Sequence, residues 1–326
     1  MDLIKKLGPM AFGSRLKRLN ERMMKDVSRT YREQDMEFEA RWFPVFYLLK
    51  LESSLSITEI AAALRLTHPA INQIAGEMLR AGLLVSTRDK KDERRRLLSL
   101  SDKGQDMIAE LEPLWADIVA ATEEVVEKAD AAILELIDRM EEVLDTEGLY
   151  DRIRHRIKRR QYDAVDIIDY KPEFKKYFKT LNYEWLEEYF QVEPSDRKIL
   201  SDPEKKIIAK GGMVVFARLD GVIVGTGAII KHDKDLYEIA KMAVTATARR
   251  RQVGRKLTLT LIDRAAALGA SEVFLETSPG MTPAIELYKK FNFKQTEPIM
   301  PGRYERESMT MKLAMKNIKK EGVANE

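Results

Sequence analysis

The sequence predicts two domains: a mainly α N-terminal part and an α+β C-terminal part whose central sheet is mostly antiparallel. Three observations carry this. The 326 residues exceed one ordinary domain of about 150 residues. Residues 56–84 hold two helical apolar periods separated by only a few residues. From residue 211 onward, short alternating runs are joined by tight-turn residues, first among them Asp220-Gly221.

Composition bounds the chemistry. No long uninterrupted apolar run occurs, and the N-terminus MDLIKKLGPMAFGSRLKRLN has no apolar core ahead of its charges. A membrane span and a signal peptide are therefore unsupported, and a cytoplasmic location is expected. Without cysteine, and with only His68, His155 and His232 scattered along the chain, no metal site is expected. The net charge of +3 conceals segregation: residues 1–100 carry 19 lysines and arginines against 13 acids, residues 101–160 carry 9 against 16, and the remainder 28 against 24. The acidic middle is rich in Leu, Ile, Val and Ala at helical spacing, which predicts helices with solvated faces.

In the N-terminal part, Ser56 and Glu59 form a capping-box pair, followed by Ile57, Ile60, Ala61 and Leu64 on one apolar face. A second helix is expected from Thr67 or His68, with Pro69 in its first turn and Ile71, Ile74, Met78 and Leu79 inward. Its outward residues include His68, Asn72 and Gln73. A short turn between two helices, the second exposing amides, is a helix-turn-helix pattern, and such amides can read an adenine edge. Residues 83–101 then read as strand, charged tip and strand, a β-hairpin wing whose Arg94, Arg95 and Arg96 suit phosphate contact. A small helical domain with a solvated hairpin is the plainer alternative.

These residues resemble the MarR family of winged-helix regulators. Asp92-Glu93-Arg94-Arg95-Arg96 precedes LLSLSDKG, which is similar to the family's Asp-x-Arg wing and its strand ending in Leu-Thr-x-x-Gly, with Ser101 in place of Thr. The resemblance covers about residues 5–145. It implies DNA binding through Thr67, His68, Pro69, Asn72, Gln73 and Arg94 to Arg96, and a homodimer formed through first and last helices, for which residues 107–144 supply apolar positions. Residues 1–148 are assigned to this domain.

Residues 149–164 form a basic connector, with seven Lys, Arg or His in the nine residues 152–160; a helical arm is expected, as a solvated linker or a nucleic-acid arm. Strands are then expected at AVDII, at GGMVVFARL and VIVGTGAII around Asp220-Gly221, at LYEIAKMAV (236–244), at SEVFLET (271–277) and at SMTMKL (308–313). A helix stopped by Gly269 should carry Leu257, Leu261, Ile262, Ala265 and Leu268 inward, and another should begin at Thr282 as cap with Pro283 first. The domain spans 165–316, and 317–326 form a charged tail.

RRRQVGRKL (249–257) places five positive charges in nine positions between a strand end and a helix start. Unpaired N–H groups and the helix dipole make such a place an anion site, which arginines reinforce. Neither a Walker loop nor a dinucleotide fingerprint matches.

Arg249-x-x-Gln252-x-Gly254 resembles the acetyl-CoA loop of the GNAT N-acetyltransferase superfamily, usually Gln/Arg-x-x-Gly-x-Gly/Ala; Gln252 stands where the first glycine is common. Residues 275–293 resemble its later strand and Ala-Ile-x-Leu-Tyr helix, with Asn292 replacing a glycine, and residues 304–313 its closing strand. The resemblance covers about residues 163–315. It implies acetyl-CoA as cosubstrate, paired with Met242, Ala243 and Val244 and held by Arg249, Arg250, Arg251, Gln252, Val253, Gly254 and Arg255, with Thr282 and Ala284 beside it. Tyr288 matches the tyrosine that protonates the departing thiolate, and a phenol of pKa about 10 is protonated at neutral pH. The acceptor, an amine of about pKa 10.4, must lose a proton, at a cost of about 4–5 kcal/mol at pH 7. Glu238 matches a position where some members place a glutamate acting through water; otherwise it is a paired or solvated strand residue. Asn182, Trp185, Tyr189, Phe190 and Thr277 are the acceptor-side candidates, although these aromatics could equally cover the sheet. The resemblance thus implies an N-acetyltransferase fused to a regulator, or, as the alternative, a regulator whose second domain only senses an acyl-CoA or amine.

Overall fold

The computed structural model describes residues 1–89 and 95–317. It divides into two compact units, Met1–Arg139 and Met140–Glu326.

The first unit contains helices α1 (Leu3–Lys6), α2 (Phe12–Glu33) and α3 (Phe43–Glu52), then strand β1 (Leu55–Ser56), α4 (Ile57–Leu64) and α5 (His68–Arg80). The strands β2 (Leu84–Arg88) and β3 (Arg96–Leu100) follow, and then α6 (Asp102–Ala129). A helix α7 (Ile133–Thr146) runs across the division between the two units. The helices expected in the acidic middle are thus α6 and α7, separated where Asp130 adopts an extended φ of −175° and its carboxylate accepts from the Ala132 N–H. Ser56 caps α4 in a full capping box with Glu59, and Thr67 caps α5 by accepting from the Ala70 N–H at 3.4 Å. The hairpin pairs Leu84–Arg88 with Arg96–Leu100, and β1 adds a third strand to it, Leu55 opposite Leu98, which the alternation of so short a segment does not announce. The core gathers Tyr31, Phe46, Leu49, Ile60, Ile71, Met78, Leu83 and Leu111, all fully buried. Leu79, expected inward, is exposed, because the buried stripe of α5 runs through Ile71, Ala75 and Met78.

In the second unit the end of α7 is followed by helix α8 (Leu149–Asp163) and strand β4 (Val165–Asp169), then by α9 (Lys175–Tyr189), α10 (Pro194–Ser201) and α11 (Pro203–Lys206). Strands β5 (Met213–Leu219), β6 (Val222–Lys231) and β7 (Leu236–Val244) come next, then α12 (Val253–Ala267), β8 (Glu272–Thr277), α13 (Thr282–Lys290), β9 (Lys294–Thr296) and β10 (Met309–Ala314). One seven-stranded sheet has the order β4-β5-β6-β7-β8-β10-β9. Only the β7–β8 pair is parallel, as the intervening α12 requires, because parallel neighbours need a crossover. Asp220 and Gly221 both take positive φ, 51° and 82°, at the β5–β6 turn.

Side chains alternate between two cores. Val215, Ala217, Ile229 and Ile239 face Leu257 and Leu261 of α12, whereas Val214, Phe216, Ala228 and Ala240 face Phe178 and Leu186 of α9. α12 packs tightly because Gly225 lies beneath its N-terminus; a Cβ there would come within 3.0 Å of Val253 and 3.1 Å of Leu257. Its backbone thereby fixes the height of the loop 249–253 over the sheet.

Candidate active site

The parallel pairing of β7 and β8 stops at Glu238 and Phe274, although β7 runs on to Val244 and β8 to Thr277. The cause is on β7. Opposite Gly227 of β6, β7 inserts two residues, Lys241 and Met242, between the pairs Ala228–Ala240 and Thr226–Ala243. Lys241 takes φ 54°. Such a bulge bends a strand and raises its twist. The sheet therefore forks, leaving the facing edges of both strands without ladder partners beyond residues 238 and 274.

A cleft of about 140 Å³ occupies the fork, lined by Glu238 to Met242 of β7, Glu276 and Thr277 of β8, Ala284 and Tyr288 of α13, and Asn182, Trp185 and Phe190 on the α9 side. Asn182 is buried and donates to the Phe178 carbonyl at 2.9 Å. Tyr189 points instead to Arg249, whose guanidinium donates to its hydroxyl at 3.0 Å. Thr282 is the exposed first residue of α13 rather than its cap, which is Met281; Pro283 blocks no bond in that first turn.

At the mouth of the fork the chain enters α12. The first helical bond runs from the Lys256 N–H to the Gln252 carbonyl, so the N–H groups of Val253, Gly254 and Arg255 precede the ladder. Gln252 caps the helix from the left-handed region, φ 62° and ψ 5°, and Arg250 also has φ 62°. A Cβ on Gly254 would meet nothing in the protein nearer than Leu287 at 3.7 Å. The basic side chains are largely engaged elsewhere. Arg249 binds the Glu188 carboxylate, holding it down to about 2; Arg251 pairs with Asp220 at 3.5 Å; Arg255 lies over the Phe291 ring at 5.8 Å. Arg249 thus ties the loop to α9, and the N–H groups left at the start of α12 are those of the backbone.

A buried phenol and two charged clusters frame the cleft. Tyr288 is buried, which pushes its phenol up to about 12. Glu238, 2% exposed, accepts from Arg303 at 2.6 Å and contacts His232 at 2.7 Å. Burial pushes its carboxyl upward, yet the His232 and Arg303 bonds prevail and hold it below the usual carboxylate range. Asp196 accepts from Lys241 at 2.7 Å and from Arg306 at 2.7 Å. Glu276 is different: its side chain is 6% exposed, and Oε2 has no hydrogen-bond partner among the described residues. Glu276, Asp196, Lys241, Arg303 and Arg306 were not legible as a group, because they come from four separate segments.

In the N-terminal unit, His68, Pro69, Asn72 and Gln73 are all exposed on α5, and Gln73 donates to Glu77 at 3.3 Å. Arg95 is drawn back to the helix-turn-helix: it binds Glu59 at 2.8 Å and Ser56 Oγ at 3.2 Å. Bonds from Ser56 and then from Arg95 hold the Glu59 carboxyl down to about 2. Arg96 is exposed. Arg94, with Lys90 to Glu93, lies outside the described residues.

Two family models match the chain: the acetyltransferase (GNAT) family over residues 178–293 and the MarR family over residues 36–95. An N-acetyltransferase of Schizosaccharomyces pombe, itself uncharacterized, is 30% identical over 128 residues, 37% of this chain and 77% of that one. The IAA acetyltransferase of Azospirillum brasilense is 40% identical over 88 residues; the match takes 27% of this chain and spans 58% of that relative's length. A GNAT-family acetyltransferase structure from Staphylococcus aureus Mu50 superposes with a TM-score of 0.43 at 19% identity, covering 47% of this chain and 99% of that one. The chain belongs to the GNAT acetyltransferase family, and it carries a MarR-family segment ahead of that domain.

Proposed function

We propose that the protein is an acetyl-CoA-dependent N-acetyltransferase acting on an amine, joined to a DNA-binding, dimerising regulator module. The observation that carries the reading is the forked sheet: unpaired backbone on β7, with unpaired N–H groups of α12 at one end of it and a protonated buried phenol lining the cleft. These residues fit the cofactor. The edge holding Met242, Ala243 and Val244 suits an extended amide-bearing arm, and the N–H groups of Val253, Gly254 and Arg255 suit a pyrophosphate. Acetyl-CoA supplies an activated acetyl thioester when bound. Tyr288 holds a proton for the departing sulfur; burial keeps it on the phenol throughout the neutral range. Glu238, fixed between His232 and Arg303, keeps its charge and shapes the field of the cleft.

For the N-terminal module, the exposed face of α5 and the guanidinium of Arg96 are the DNA-facing groups. The exposed apolar residues Leu134, Ile137, Met140 and Leu144 of α7 suit a second copy of the chain. Purified protein should release thiol from acetyl-CoA when given a suitable amine, and should bind acetyl-CoA in calorimetry. A broad panel of amines, amino acids and peptides that releases none, together with no cofactor binding, would overturn the enzymatic reading.

A further inference from the structure

The cleft contains one acid that has only a distant charge partner among the described residues. Besides the exposed Glu307 on its lining, four carboxylates in and beside the cleft, Glu193, Asp196, Glu238 and Glu276, meet three cations, Lys241, Arg303 and Arg306. Each cation has a close partner. Lys241 and Arg306 are both within 2.7 Å of Asp196, Arg306 also reaches Glu193, and Arg303 stands 2.6 Å from Glu238. Glu276 receives only the far side of this arrangement, with Arg303 Nη1 at 3.9 Å from its Oε2 and no hydrogen bond on that oxygen. A buried carboxylate oxygen with no donor costs stability and requires an explanation.

Position supplies one. Glu276 lies on β8, opposite Thr310 of β10, and lines the same cleft as Tyr288, Trp185, Phe190 and Tyr304. The charge that the cleft lacks is positive, and its flank is aromatic.

We propose that Glu276 docks the ammonium of the acceptor and takes its proton, and that the acceptor is a primary amine on a flat apolar group with no carboxylate beside the nitrogen. This rests on the acetyltransferase reading. Glu238 is the less suitable receiver, because a proton there would disrupt its bonds to His232 and Arg303. A substrate carboxylate is disfavoured because the cations that would meet it are already paired.

The protons balance. R–NH₃⁺ gives one proton to the Glu276 carboxylate, and the neutral nitrogen forms the N–C bond to the acetyl carbonyl as the C–S bond breaks. Tyr288 gives its proton to the sulfur, and the second nitrogen proton restores the phenol. One amide, one thiol and one proton, shed from Glu276 to solvent, are the products.

The pH behaviour follows from every charged group that faces Glu276: Glu238 and Lys241 on β7, His232 before it, and Arg303. Burial, and then the Glu238 charge, push the Glu276 carboxyl above the usual range, and Arg303, His232 and Lys241 oppose this. A raised folded-state value favours the protonated form. The carboxylate therefore destabilises the fold increasingly as pH rises above the ordinary glutamate value of about 4.3.

The test uses the full chain, wild type and Glu276→Gln, with 2-phenylethylamine and phenylalanine as probes. Calorimetry with CoA present should show 2-phenylethylamine bound by wild type and bound at least about ten-fold more weakly by the variant. Thiol release should favour 2-phenylethylamine over phenylalanine by about ten-fold or more in kcat/KM. In the variant, kcat/KM at pH 7 should fall about 100-fold, and the gap should narrow as pH approaches the amine's own value. Glu276→Asp should recover part of the activity. The Tm of ligand-free Glu276→Gln should equal or exceed that of wild type at pH 7, which a merely structural carboxylate would not allow.

Equal amine affinity in the two proteins, no amine binding by wild type, or an unchanged pH profile overturns the assignment of Glu276 and leaves the acetyltransferase reading standing. Amine binding that depends on Glu276, without thiol release from acetyl-CoA, leaves the ammonium site standing and overturns the acetyltransferase reading.

Discussion

The Lys241 ammonium lies 2.7 Å from the Asp196 carboxylate, with 6% and 1% of the two side chains exposed. This contact joins the bulged residue of β7 to the first turn of α10, so the bend that forks the sheet is held by a buried charge pair. Breaking one side of such a pair leaves the other ion uncompensated. Asp196→Ala, which strands Lys241 and leaves Arg306 only its longer contact to Glu193, should lower stability by about 3–5 kcal/mol, read as a reduced urea midpoint of the transition. Lys241→Met leaves Asp196 with Arg306 and should cost less than half as much; equal losses would show that the pair is not what holds the bend. Burial raises the Asp196 carboxyl, but bonds from Arg306 and Lys241 leave it below the usual range. Its contribution is thus present above the unfolded value of about 3.9 and is lost as pH falls toward its depressed value. Acid titration should destabilise wild type below about pH 4, and Asp196→Ala should lose part of that dependence, the rest remaining with Glu238 and the other depressed carboxyls.

Tyr288→Phe removes one oxygen and keeps the ring beside Phe293, 5.9 Å away. Turnover should fall about 100-fold with acetyl-CoA affinity nearly unchanged, measured by thiol release and calorimetry. An unaltered rate would show that the phenol is not the acid.

Gln252 holds a left-handed conformation in which a side chain costs about 1–2 kcal/mol. Gln252→Gly removes that strain but widens the unfolded ensemble, so stability should change by less than about 1 kcal/mol while acetyl-CoA binds as well or better. A β-branched residue fits this region worst. Gln252→Val should weaken cofactor binding several-fold, and undiminished affinity in calorimetry would place the pyrophosphate elsewhere.

Arg95 and Arg96 should behave differently in DNA binding. Arg96→Ala should weaken binding to fragments flanking the coding region about equally for all sequences and reduce the salt slope by about one. Arg95→Ala cuts the wing from Glu59 and Ser56; it should act through wing position, with a changed preference among fragments as well as lower affinity. Fluorescence anisotropy across a salt series separates the two, and identical slopes for wild type and Arg96→Ala would remove Arg96 from the interface.

Much of the fold was legible because local signals agreed with it. Ser56 with Glu59, Asp220 with Gly221 and the nine-residue run 236–244 each specify an element without help from distant residues. The strand-to-helix turn at 249–255 was legible for the same reason, as a glycine and basic residues between two periodic segments. Its side-chain chemistry was not: the charge count of RRRQVGRKL says nothing of Glu188, Asp220 or Phe291, which engage Arg249, Arg251 and Arg255 from other elements. Glu276 was invisible for a different reason. On a strand written SEVFLET an acid reads as a solvated face, and only the neighbouring β10 and the stretch around Arg303 close it in.

Helix α8 has a practical consequence. Its basic sequence suggests a detachable tether, yet Lys256 of α12 donates to the Tyr162 carbonyl at 2.9 Å and its ammonium lies 4.7 Å from the Tyr162 ring centre. Limited proteolysis should spare residues 149–163 when the C-terminal unit is intact. A fragment meant to carry the acetyltransferase unit by itself should begin at or before Gly148, the residue that caps α8; one trimmed to Val165 would surrender a helix that α12 uses as a wall.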